Sequence, residues 1–174
     1  MAISAGPHAE STLDELYRRP GFLIRRAQQI AVSLFLEESG ALGITNSQYG
    51  ILMVLRHQPG TNQISLSKLL GLDRSTTGMV VDKLESTGLV KRRIASGDRR
   101  KRELVLTRAG ERMLAELAEP ARRAQVRVLE PFTPEEQAAF LGLLEKFVGR
   151  FNGSTRVPLE KQRAAQKAKK RRAA

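Results

Sequence analysis

A chain of 174 residues with 41% hydrophobic content can bury one proper core, so one domain plus extensions is expected. The absence of cysteine excludes disulfides, Cys-ligated zinc, thiol nucleophiles and thiol-based peroxide sensing. Thirty Lys and Arg against 18 Asp and Glu give a net charge of +12, and its placement matters more than its sum. Residues 91–102 carry seven cations and one Asp, residues 160–174 carry seven cations and one Glu, and the remainder is about neutral. Two basic patches on a neutral body are the footprint of a polyanionic partner.

The opening MAISAGPHAE has neither a basic stretch nor an apolar core, so residues 1–11 are expected to be a flexible N-terminus rather than a signal peptide. No run approaches the ~20 apolar residues of a membrane span. A cytoplasmic protein with no membrane partner is expected. Thr12 and Glu15 form a capping-box pattern for a first helix, which Pro20-Gly21 interrupts or restarts. From Phe22 to Glu38 a broad apolar stripe (Leu23, Ala27, Ile30, Leu34, then Ile24, Ala31, Phe35) predicts a helix that must pack on another. Thr45 and Gln48 open a further helix through Tyr49 and Met53 to His57, which Pro59-Gly60 breaks. A short helix, Ser65 to Leu70, follows.

Asp73 is a good N-cap for the next helix, on which Thr77, Val80, Val81 and Leu84 form a packing face closed by Gly88. The opposite side carries Arg74, Ser75, Thr76, Gly78, Met79 and Lys83, which are small, polar or basic. The period then changes to two. Leu89–Ile94 and Glu103–Leu106 predict a hairpin whose tip, Ala95 to Arg102, holds Ser-Gly-Asp and four consecutive cations. Two short helices across a Gly-containing turn, with a basic hairpin behind, make a winged helix-turn-helix. Thr107 caps a long helix to about Glu130 with a kink expected at Pro120, and Thr133-Pro134-Glu135-Glu136 starts a last helix bearing Phe140, Leu144, Phe147 and Phe151.

The fold class is therefore mainly α with a small β wing. Residues 45–107 form the winged helix-turn-helix, 12–44 and 108–152 a helical dimerisation region, and 153–174 a basic C-terminal tail. The helices outside the winged core carry more apolar surface than one small domain hides, which points to a homodimer. A two-fold dimer reads a palindrome in double-stranded DNA, with half-sites about one helical turn, ~34 Å, apart.

The run LSKLLGLDRSTTGMVVDKLESTGLVKRRIASGDRRKRELVLTRAGE resembles the core signature of the MarR family of winged-helix transcription regulators. The family's wing element, an Asp followed two positions later by Arg and closing in Leu-Thr, is met by Asp98, Arg100, Leu106 and Thr107. The resemblance extends more weakly over roughly residues 12–151. It implies a triangular two-fold dimer that represses transcription. It also implies a small-anion effector, often an aromatic carboxylate, bound between the dimer helices and the winged lobe. PGFLIRRAQQIAVSLF is similar to members tied to aromatic-acid catabolism, some of which answer to aromatic acyl-CoA thioesters.

The candidate DNA-binding residues are Arg74, Ser75, Thr76, Met79 and Lys83 on the helix and Arg92, Arg93, Asp98, Arg99, Arg100, Lys101 and Arg102 on the wing. Small or donor side chains suit base edges, and clustered cations suit phosphate. Ser75 and Thr76 can instead serve only the helix N-terminus against a phosphate. Asp98 reads as structural, orienting Arg100 or another wing cation, and Asp82 and Glu85 as ion-pair partners, since phosphate repels them. Arg25 and Arg26, with Phe22, Tyr49, Met53 and His57, are the candidate effector residues; exposed arginines pairing with carboxylates are at least an equal alternative, and for His57 a place at its helix C-terminus against carbonyls and dipole is the commoner role. The tail cations either touch phosphate non-specifically or keep the chain soluble. No nucleophile–base pair, phosphate loop or metal-ligand spacing stands out, so no enzyme activity, cofactor or metal site is expected. The alternative reading is a sequence-indifferent nucleic-acid-binding, architectural protein that uses wing and tail.

Overall fold

The computed structural model describes residues 12–95 and 98–160, and the side chains of residues 98–101 lie outside that description. Eight α-helices and one hairpin are present among the described residues: α1 Leu13–Arg18, α2 Pro20–Ser39, α3 Asn46–His57, α4 Gln63–Leu70, α5 Arg74–Ser86, β1 Val90–Ala95, β2 Asp98–Leu106, α6 Arg108–Glu116, α7 Ala118–Leu129 and α8 Pro134–Phe151. The cap signals act as expected. Thr45 with Gln48 and Thr133 with Glu136 form complete reciprocal boxes, whereas Thr12 accepts from the Glu15 N–H without the return bond.

The main core lies between α3, α4, α5, the hairpin and α6. Ile51, Leu52, Leu66, Val81, Leu84 and Leu117 are fully buried there. A second cluster, Phe35 with Ala121 and Ala124, joins α2 to α7. Tyr49 packs against both, its ring tilted on Phe35 at 5.5 Å between centroids. An ionic seam runs along the same helix pair. Glu38 accepts from Arg123 at 2.7 Å and Arg127 at 3.0 Å, and these arginines, Arg123 first, hold its carboxyl below the ordinary carboxylate value.

Three differences from the sequence reading have local causes. The long helix after Thr107 is divided at Leu117, one turn before Pro120, which has no N–H to offer the carbonyl of Glu116. The hairpin is longer than expected: β2 begins at Asp98, so the tip shrinks to residues 96–97. Its register steps from Ile94↔Arg102 to Ala95↔Asp98, leaving residues 99–101 in an irregularity opposite one peptide. Thr61 adds an isolated bridge to Leu104, with Leu104 N–H donating to Thr61 O at 3.0 Å. The hairpin is thereby tied to the loop before α4. Finally, residues 153–160, expected to begin the tail, fold back onto α4.

No residue of α1 or α8 is buried. Leu13, Leu16, Tyr17, Leu23, Ile24 and Ile30 at one end, and Leu143, Leu144, Phe147, Val148 and Phe151 on α8, stand exposed. No helix among the described residues is long and apolar enough to cross a membrane.

Candidate nucleic-acid interface

Two left-handed glycines frame α5. Gly71, at φ +64°, closes α4, and Gly88, at φ +72°, closes α5. Past Gly88 the Leu89 N–H reaches Leu84 O and the Gly88 N–H reaches Glu85 O, the paired bonds of a Schellman ending, for which a φ above zero is required. At the other end the Asp73 carboxylate accepts the Thr76 N–H at 2.8 Å and the Thr76 hydroxyl at 2.6 Å. These bonds, the hydroxyl's first, hold the Asp73 carboxyl below its ordinary value.

This geometry sorts the helix residues. Thr77, Val81 and Leu84 are buried, and Arg74, Ser75, Met79 and Lys83 are exposed on the opposite side, with Met79 at 64%. Thr76 is half-buried and its hydroxyl is committed to the cap. Gly78 allows α4 to approach: a Cβ there would lie 3.1 Å from the Gln63 amide.

The wing cations separate likewise. Arg92 is clamped onto α5, its guanidinium meeting Asp82 at 2.6 Å and also Glu85. Arg93 pairs across the hairpin with Glu103 at 3.0 Å. Arg92 therefore joins wing to body and Arg93 ties the two strands of the wing together, roles sequence reasoning missed although it read Asp82 and Glu85 as ion-pair partners. Arg102 is exposed, and Asp98, Arg99, Arg100 and Lys101 lie on β2 with side chains outside the described residues.

Over 152 residues the chain is 31% identical to a protein of Thauera aromatica named for transcriptional regulation of the hcr operon, covering 84% of this chain and 92% of that one. The MarR family model matches residues 44–101, from the start of α3 into the wing. The chain belongs to the MarR family.

Solved structures carry the likeness across both lobes of this MarR-family regulator. The transcriptional repressor CouR bound to a 23-mer DNA duplex superposes with a TM-score of 0.71 at 30% identity, covering 80% of this chain and 99% of that one. BpsR of Bordetella bronchiseptica, whose DNA binding is regulated by 6-hydroxynicotinic acid, gives 0.72 at 26% identity, covering 82% and 97%.

The candidate effector residues line several distinct features of the protomer. Arg25 lies over the Phe22 ring at 5.0 Å, and both Arg25 and Arg26 reach Gln29 on the same exposed face of α2. Tyr49 lines a cavity of about 160 Å³ between α2, α3 and α7, with Phe35, Asn46 and Gln125. Met53 and His57 line another, of about 480 Å³, with Leu69, Leu159 and Glu160. Tyr49 and Met53, one turn apart on α3, thus open on different spaces.

Proposed function

We propose that the chain is a homodimeric repressor that reads a palindromic operator through the exposed face of α5 and the wing, and that a small aromatic acid or its CoA thioester releases it. The observation carrying this reading is the outward set Arg74, Ser75, Met79 and Lys83, held against the core by Thr77, Val81 and Leu84, with a basic hairpin clamped alongside. Small and donor side chains on a protruding helix fit the major groove, and the cations of the hairpin suit phosphate. CouR, of the same fold, is a repressor bound to duplex DNA, and BpsR answers to an aromatic acid. The apolar faces of α1 and α8 support the dimer, because exposed patches of this kind mark interfaces.

An effector need not act strongly. A ligand preferring the non-binding conformer ~100-fold supplies about 2.7 kcal/mol of coupling. The test is a thermal-shift screen of aromatic acids and their CoA thioesters, followed by footprinting on a duplex selected from a random library. The expected result is a two-fold symmetric footprint that a hit from the screen removes. A footprint without symmetry, or uniform binding along any duplex, would replace this reading with the architectural one.

A further inference from the structure

Immediately after α8 the chain makes a turn that nothing in its composition announces. The Asn152 carboxamide donates to Leu159 O at 3.0 Å and accepts the Leu159 N–H at 2.8 Å, closing the loop between them. Thr155 donates to the Asn152 carbonyl through its hydroxyl at 2.9 Å. The closed loop rests on the helix-turn-helix. Val157 and Leu159 are half-buried, and a Cβ built on Gly71 would lie 3.9 Å from the Leu159 side chain and from the Val157 carbonyl. The Glu160 N–H donates to Lys68 O at 3.0 Å, satisfying a carbonyl in the last turn of α4 that helix geometry leaves open. The Lys68 ammonium returns to the Glu160 carboxylate at 2.8 Å.

The last described residue is thus held on the turn that leads through Gly71 into α5. A cavity of about 270 Å³ is lined by Lys68, Arg74, Arg156 and Glu160 together, so the strap ends beside the first residue of α5. In a helix-turn-helix the first helix crosses the DNA backbone and the start of the second meets base edges. The 14 residues that follow Glu160 contain seven cations and no carboxylate side chain. Arg74 and Arg156 carry the same sign as that run. An extended run of this length spans at most roughly 45 Å, more than one turn of duplex.

We propose that residues 152–160 form a strap that delivers the basic run 161–174 to the phosphates flanking the operator, outside the stretch covered by α5 and the wing. The strap turns a solubility tail into a second, sequence-indifferent contact of fixed origin. This rests on the operator-binding reading above, and the two can fail separately.

The experiment uses a selected operator duplex made bare and with about ten arbitrary base pairs added on each side. Three proteins are compared on both by fluorescence anisotropy across a salt series: the full chain, the chain ending at Glu160, and full-length Asn152→Ala. The full chain gains at least tenfold from the flanks. The shortened chain matches it within threefold on the bare duplex, gains nothing from the flanks, and loses about three units or more of salt slope on the flanked duplex, at about 0.9 per phosphate released. Asn152→Ala keeps every cation yet loses most of the flank gain, with a helical spectrum unchanged from the full chain. Equal flank gain for the full and shortened chains overturns the proposal. So does an Asn152→Ala protein with the full gain, which would leave the strap no part in delivery. Loss of binding to both duplexes on shortening also overturns it, making the tail the principal DNA contact. If even the full chain yields no two-fold footprint, the operator reading fails first.

Discussion

Asp73 does two things with one carboxylate: it closes the N-terminus of α5 through the Thr76 N–H, and it fixes the Thr76 rotamer through the hydroxyl. Its folded pKa is depressed, so its stabilisation is complete above the unfolded value and is lost as pH falls through the folded one. Asp73→Asn is expected to retain the cap, since an amide oxygen accepts the same N–H, while flattening the fall in stability at pH values below the ordinary Asp value of about 3.9. Urea denaturation of both proteins across that window checks it; parallel curves would deny the carboxylate its titrating role. Gly110 is a constraint of another kind. A Cβ there would stand 2.1 Å from the Leu89 carbonyl oxygen, a backbone atom pinned by the Thr107 N–H. Gly to Ala inside a helix ordinarily gains about 1 kcal/mol. Here the sign reverses, and Gly110→Ala is expected to cost about 3 kcal/mol, at the upper end of overpacking. The measurement is the shift in denaturation midpoint at unchanged slope.

Between α5 and the wing, Arg92 acts as a rivet rather than as a probe. It meets Asp82 and Glu85, both on α5, and its removal leaves two carboxylates uncompensated on the face proposed to meet DNA. Arg92→Ala should therefore weaken operator binding with almost no change in salt slope, and Asp82→Asn with Glu85→Gln added should recover much of the loss. Arg100→Ala should behave differently, weakening binding more than tenfold and flattening the slope by about one unit, as removal of one phosphate contact does. Salt titrations of the four proteins separate the roles; a full-unit slope change for Arg92→Ala would make it a direct contact. The Glu38 seam with Arg123 and Arg127 plays a comparable joining part between α2 and α7.

In the whole molecule, the exposed apolar faces at α1 and α8 are what a single protomer leaves unfinished. Phe147 and Phe151 touch each other, 5.2 Å between centroids, yet are 46% and 50% exposed. Phe147→Glu is expected to give a monomer in sedimentation velocity and at least a hundredfold loss of operator affinity, because two half-sites are then bound independently rather than by one linked pair. A dimer surviving this change would move the interface elsewhere.

What the sequence by itself determined is whatever depends on neighbours a few positions apart. Caps at Thr45, Asp73 and Thr133, the stop at Gly88 and the buried and exposed sides of α5 all follow from spacing of three, four or two, while the MarR signature rests on the resemblance of one run of residues. Even the hairpin strands were legible, though the register step near Ala95 was not. Tertiary structure alone decided which charges meet: Arg92 with residues of the preceding helix, Arg93 with Glu103, Lys68 with Glu160. It also decided that Tyr49 lines one cavity and Met53 and His57 another. The reason is physical. Helical and strand periods constrain direction along one element, whereas an ion pair or a cavity needs the relative placement of two, which is set by the packing of cores such as Phe35 on Tyr49 and by a single carboxamide, Asn152, turning the chain back on itself.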